Sequence, residues 1–274
     1  KELGDIEVLV NNAGRSIRRG ISASYDRFHD FERTMQLNYF GSLRMIMNVL
    51  PSMEKRRKGQ VINISSIGVL SNAPRFSAYV ASKAALDAFS RCAASEFSDA
   101  GVSFTTINMP LVRTPMIAPT RMYDNVPTIS PEEAAAMVKQ AVIYKPQRIA
   151  TRLGIFAQVL HAVAPKVAEI IMNSAFRMFP DSAAAQGVKD HQAAASQEQL
   201  AFASLMRGIH CSLGIVGRLD AIGGFHENRV RIGSVDFFAA VGIQLLLQFF
   251  ELFDPFLRIM DVFWKFIAGF IRTV

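Results

Sequence analysis

The sequence predicts an α/β chain, part of a doubly wound parallel sheet followed by apolar helices. Two observations lead there. Short apolar runs alternate with longer amphipathic ones in the order strand, helix, strand, helix, strand; right-handed crossovers turn that order into a parallel sheet covered by helices. The chain also has 274 residues, half of them apolar, enough for a sizeable core.

Residues 6–10 read as the first strand, of the kind covered on both faces. Residues 30–57 read as one long helix, with Phe31, Met35, Leu43, Ile46 and Leu50 on an apolar stripe that also contains Asn38. Residues 60–65 are the next strand, 78–97 the next helix and 102–108 the strand after it. Ser130-Pro131-Glu132-Glu133 combines an N-cap, a proline at the first helical position and a glutamate at N3, which starts a helix reaching about Tyr144. Residues 147–151 suit one more short strand. Residues 154–179 form a strongly apolar helical segment, either a lid or core helix or an apolar wall towards a ligand or a membrane surface. Residues 188–199 read as an exposed linker and 200–210 as a last short helix.

The tail, 211–274, has a different composition. Its uncharged run of fourteen, 237–250, is too short to span a bilayer as a helix. Glu251, Asp254, Arg258, Asp261 and Lys265 then recur at spacings of three and four, one polar stripe on an apolar helix. Two apolar helices joined at Phe253-Asp254-Pro255 follow, free to lie in a membrane interface, pack on the sheet or make a homo-oligomer. The expected organisation is 1–151, 152–210 and 211–274.

The net charge of +7 is scattered apart from Arg15, Arg18, Arg19 and the run 55–58. The second cluster reads as a solvated cap that complements a helix dipole. The first could meet an anionic substrate such as a phosphate-bearing carrier. No aromatic interleaving marks a nucleic-acid surface, so no nucleic-acid partner is expected. Two cysteines, Cys92 and Cys211, suit a reducing, cytoplasmic setting and offer no metal site.

Tyr79 and Lys83 stand four apart near the head of the 78–97 helix, so both project from one face. A nearby ammonium favours phenolate and should lower the tyrosine's pKa towards neutrality. Ser66, at the end of an apolar strand, adds a hydroxyl able to polarise a carbonyl. Such a Tyr/Lys pair alone is commonplace, with the tyrosine packed and the lysine solvated. Here it is accompanied by the turn Asn11-Asn12-Ala13-Gly14, by Asn38, and by the strand-to-turn stretch ending Pro110-Leu111-Val112-Arg113-Thr114.

This order and spacing resemble the short-chain dehydrogenase/reductase family, which implies a Rossmann-type sheet and a nicotinamide cofactor, NADP or alternatively NAD. The resemblance implies that Tyr79 is the general acid, Lys83 lowers its pKa and binds the nicotinamide ribose, Ser66 donates to the substrate oxygen and Asn38 completes a proton relay through water. It further implies that Asn11, Ala13 and Gly14 line the cofactor by backbone while Pro110, Val112 and Thr114 meet the nicotinamide. The family commonly has Pro-Gly before this Val-x-Thr; here Leu111 follows Pro110 and the loop is one residue shorter. Stretches such as Val126-Pro127-Thr128-Ile129-Ser130-Pro131 and Arg148-Ile149-Ala150-Thr151-Arg152 narrow the resemblance to the bacterial fatty acyl-CoA reductase branch. That branch implies an acyl-CoA thioester substrate. A ketone, 3-oxoacyl or steroid reductase with the same four residues is the rival enzyme, and a non-catalytic membrane-surface or assembly module is the rival from another class. No glycine-rich phosphate turn stands in the chain, so it reads as truncated before residue 6, with the 6–10 strand left as an unpaired edge. Instability, aggregation or dependence on a partner is therefore expected.

Overall fold

The computed structural model describes residues 5–115, 117 and 128–179, all within a unit bounded as Lys1–Val216. The expected linker, the 200–210 helix, Cys211 and the apolar tail lie outside the described residues. Four parallel strands, β1 (Val8–Asn11), β2 (Gly59–Ser66), β3 (Val102–Met109) and β4 (Arg148–Ala150), stand in the order β1-β2-β3-β4. The register sets Val8 beside Gln60, Gly59 beside Val102 and Thr106 beside Arg148. Because all run the same way, their C-terminal ends share one edge, where open α/β sheets hold ligands.

The helices fall as the apolar periodicity requires, with two differences. The expected 30–57 helix runs as α1 (Phe28–Met35), a π turn (Gln36–Gly41) and α2 (Ser42–Arg56). The extra residue of a π turn shifts the helical face, and such turns cluster at functional sites; Asn38 lies within it. The single apolar segment 154–179 is instead two helices, α6 (Arg152–Val163) and α7 (Pro165–Met178). Pro165 has no N–H to continue α6, but its fixed φ suits the first position of a new helix. A five-residue helix, α3 (Ile67–Ser71), follows β2, and α4 (Ser77–Glu96) matches the expected Tyr79 helix. The capping box of α5 (Pro131–Tyr144) is complete: Glu133 N–H donates to Ser130 Oγ and Ser130 N–H to the Glu133 carboxylate.

Each sheet face has its own apolar layer. Leu9, Val61 and Phe104 pack with Ile46, Met53 and Leu86 from α2 and α4. Ile62, Ile64 and Ile107 pack on the other face with Met137 and Ala141 from α5. The expected burial of the first strand on both faces is only half met: Leu9 and Asn11 are buried, while Val8 and Val10 are each 39% exposed. α5 covers β2 and β3, and among the described strands β1 stands at one edge of the sheet. The 55–58 cluster does more than cap α2: Arg56 donates to Ile6 O at 2.7 Å and Lys58 pairs with Glu7 at 2.8 Å. Gly101, between α4 and β3, has φ +71°, and a Cβ there would sit 2.2 Å from Arg57 O, so only glycine serves.

Candidate active site

Ser66 is the last residue of β2 and the N-cap of α3, where its Oγ accepts from Gly68 N–H at 3.1 Å. The same hydroxyl lies within hydrogen-bonding reach of the Tyr79 phenol on the first turn of α4. Lys83, one turn further, is 3% exposed and donates from Nζ to Ile64 O at 2.7 Å, so it is pinned to the strand that carries Ser66. Burial alone pulls Lys83 down to about 8.

The electrostatics correct one expectation. Tyr79 is raised, not lowered: burial pushes the phenol up, and the Ser66 hydroxyl only partly offsets it. Lys83 directs its Nζ to the Ile64 carbonyl. A phenol held above its ordinary value is a proton donor throughout neutral pH, which suits a general acid.

Asn38 is wholly buried with every side-chain polar atom engaged. Its Oδ1 accepts from Arg15 N–H at 2.8 Å, and its Nδ2 donates to Arg15 O at 2.9 Å and Ser82 Oγ at 2.9 Å. Ser82 in turn donates to Tyr79 O at 2.7 Å. Through its side chain Asn38 therefore locks the turn after β1 to the helix that bears Tyr79. Asn11 is likewise structural through its side chain: Nδ2 donates to Asn63 Oδ1, Asn63 to Ser90 Oγ and Ser90 to Leu86 O, an amide line from β1 to α4.

Gly14 brings the turn and α4 into contact. A Cβ there would lie 3.2 Å from Lys83 Nζ and 3.3 Å from Asn38 Oδ1. Ala13, on the same turn, is exposed. Across the edge, Pro110, Val112 and Thr114 follow β3; Val112 bridges to Ile129, and Arg113 N–H donates to Ile129 O at 2.9 Å. Thr114 Oγ1 is turned towards Val112 O at 3.4 Å.

Of the three clustered arginines, two are used inside the chain, contrary to the anionic-substrate reading. Arg18 donates to Phe179 O at 3.0 Å, and Arg19 lies 3.9 Å from the Asp30 carboxylate with its N–H on Arg75 O. Sequence reasoning also missed Ser82, Asn63 and Asn108, whose roles are contacts between distant segments. Asn108 Nδ2 donates to Ser66 O at 3.3 Å. No cluster of metal-ligating side chains occurs among the described residues.

The edge suits the nicotinamide end of a dinucleotide. Gly14 leaves the space a Cβ would fill beside Lys83, and Ser65 Oγ and Asn108 Oδ1 are buried at the ends of β2 and β3 without a protein partner. No described strand is followed by a glycine-rich turn for the pyrophosphate.

The short chain dehydrogenase family model matches residues 1–124. A fatty acyl-CoA reductase of Acinetobacter baylyi is 58% identical over 205 residues, covering 75% of this chain and 68% of that protein. A fatty acyl-CoA reductase of Mycobacterium tuberculosis is 47% identical over 173 residues, covering 63% of this chain and 59% of that protein. The chain thus spans between 59% and 68% of the length of these two relatives. A solved short-chain dehydrogenase of Streptomyces avermitilis superposes with a TM-score of 0.53 at 26% identity, covering 64% of this chain and 72% of that one. With its parallel sheet, its Ser66, Tyr79 and Lys83 at one edge and these relatives, the chain belongs to the short-chain dehydrogenase/reductase family, oxidoreductases that work with a nicotinamide cofactor.

Proposed function

We propose that the protein reduces a long-chain acyl-CoA thioester to the aldehyde at the Ser66/Tyr79 edge, with NADP as the cofactor. The observation that carries the chemistry is the Ser66 hydroxyl against a Tyr79 phenol kept protonated by burial. When bound, the nicotinamide supplies the hydride. Lys83 and the backbone of Asn11, Ala13 and Gly14 would hold its ribose side, with Pro110, Val112 and Thr114 on the far side of the edge.

Ser66 and Tyr79 bind the thioester carbonyl oxygen, and Tyr79 gives it a proton as the carbonyl carbon is reduced. The hemithioacetal formed then loses its sulfur: the hydroxyl proton leaves, the carbonyl reforms as the aldehyde, and the departing thiolate is protonated to CoA. A ketone substrate would use only the first half of this sequence. Two observations favour the long-chain thioester. One is the named activity of the two bacterial relatives. The other is the apolar α6–α7 pair beside the site, with Gly154 of α6 set so close to Leu70 that a Cβ would reach 2.8 Å from its Cδ1. α7 is held there by Arg75, which stacks over Phe176 at 3.8 Å and donates to Phe179 O at 2.8 Å. Val159, Val163 and Ile170 on these helices remain open to an acyl chain.

The test is cofactor oxidation with hexadecanoyl-CoA against a panel of ketones. Thioester turnover that Tyr79→Phe cuts by about 100-fold or more supports the proposal. Turnover of ketones alone replaces it with the ketone reading, and undiminished turnover in Tyr79→Phe removes Tyr79 from the chemistry.

A further inference from the structure

Resting on the thioester reading above, we propose that Arg75 is a positioning residue that latches α7 beside Ser66 and Tyr79 and so lets the site discriminate long acyl chains from short ones. Arg75 lies in the loop 72–76 that joins α3, which Ser66 caps, to α4, which bears Tyr79. The loop is built close to the chemistry. A Cβ on Gly68 would lie 3.4 Å from Ser66 Oγ and 3.5 Å from Val80 Cγ2, so the first turns of α3 and α4 meet at the serine. Ala73 N–H donates back to Gly68 O at 3.4 Å and Val80 N–H to Phe76 O at 2.7 Å, which fixes both ends of the loop.

Three segments converge on Arg75. Its Nε donates to Phe179 O at 2.8 Å and its Nη2 to Phe176 O at 3.1 Å, two carbonyls at the C-terminal end of α7, while its guanidinium stacks over the Phe176 ring at 3.8 Å. Carbonyls at a helix C-terminus have no partner within the helix and carry its negative dipole end, so a planar, always-charged fork suits them. Arg18, from the stretch after β1, donates to the same Phe179 O at 3.0 Å, and Arg19 N–H donates to Arg75 O at 2.7 Å. The stretch after β1, the loop before Tyr79 and the end of α7 are thereby tied at one point. Arg75 has φ +68°, a left-handed conformation that a long side chain adopts only under constraint. Glycine would adopt it freely, so what the arginine adds is its hold on α7. On α7, Ala168, Ile171, Ala175 and Phe179 recur at intervals of three and four, one face that is buried at Ala168 and Phe179. The preceding helix, α6, packs Gly154 so tightly on α3 that a Cβ would lie 3.1 Å from Ile67 Cγ1. With 14 residues α7 is roughly 21 Å long, so an acyl chain whose carbonyl is at Tyr79 reaches along it only if the chain is long. A butanoyl group ends before it. Holding α7 in place therefore matters to long substrates far more than to short ones.

The test compares the unmodified 274-residue chain with Arg75→Gly, in which glycine keeps the loop's φ without steric strain and only the side chain is lost. Two quantities are measured: amide hydrogen exchange across α7, and the affinities for dodecanoyl-CoA and butanoyl-CoA by isothermal titration. Exchange in α7 should speed up by about tenfold or more, and the ratio of dodecanoyl-CoA to butanoyl-CoA affinity should fall by about tenfold or more. Phe176→Leu, at an exposed position and with apolar volume kept, should move both in the same direction and guards against a folding defect in the glycine variant. Unchanged α7 exchange in Arg75→Gly overturns the latch. Faster exchange with an unchanged ratio, or a loss equal for both chain lengths, overturns the role in discrimination. A ratio near one, or no binding of dodecanoyl-CoA, in the unmodified chain overturns it too. A ratio that responds to Arg75 in a chain that turns over no thioester leaves the inference standing and removes the reductase reading, so the two failures are separable.

Discussion

Replacing Lys83 with methionine should make the protein more stable and inactive. The side chain is 3% exposed, and burial lowers its pKa from the ordinary 10.5 to about 8. At 1.36 kcal/mol per pH unit, that difference means the folded state bears a penalty of about 3 kcal/mol for carrying the ammonium. The penalty is present in full below pH 8. Between about pH 8 and 10.5 the folded protein has released this proton while the unfolded chain still holds it, so stability rises with pH across that window. Lys83→Met keeps the apolar stem, removes the charge and gives up the bond to Ile64 O, which is worth about 1 kcal/mol. The net gain is about 2 kcal/mol at pH 7, falling away to nothing, or to a small loss, by pH 10.5. Urea denaturation followed by circular dichroism at pH 7, 8, 9 and 10 measures it. A stability difference that stays constant with pH, or a variant less stable at pH 7, would refute the claim that Lys83 is held as a buried ammonium at a cost to the fold.

Ser66→Ala removes the hydroxyl that lowers Tyr79, so the alkaline limb of the reduction rate should move to higher pH while the rate falls about tenfold or more; a pH–rate profile checks both. Asn38→Ala strands the backbone N–H and C=O of Arg15 as well as Ser82, and should cost about 2–4 kcal/mol in chemical denaturation. Val8→Lys with Val10→Lys should suppress aggregation through β1, an edge among the described strands, read by light scattering, with less than about 1 kcal/mol lost because both side chains are already well exposed.

The sheet and the helix that bears Tyr79 were legible because their signals are local. A strand followed by an amphipathic run needs no knowledge of its partners, and the Ser130 capping box states its own geometry within four residues. Ser66, Tyr79 and Lys83 were legible because one helical turn and one strand end bring them together. What the sequence withheld depends on contacts between segments far apart. Asn38 reads as an oddity on an apolar stripe, and nothing local shows that Arg15 and Ser82 would consume its amide. The expected lowering of Tyr79 failed for the same reason: spacing placed the ammonium on the right face, but the burial that raises the phenol comes from the segments packed around it.

The same argument explains the arginines. Adjacency in sequence suggested that Arg15, Arg18 and Arg19 would act together, yet the fold turns Arg18 towards Phe179 and Arg19 towards Asp30, and leaves Arg15 on a separate surface with Arg33 and Arg44. Charge clusters that matter to an anion are set by the fold and not by runs in the chain. The π turn at Gln36–Gly41 carries the buried asparagine that ties the turn after β1 to the helix that bears Tyr79. Removing that turn by deleting one of its residues should therefore break the Asn38 bonds to Arg15 and Ser82 together, so that a fall in the chemical-denaturation midpoint and a loss of Tyr79-dependent turnover appear in the same variant.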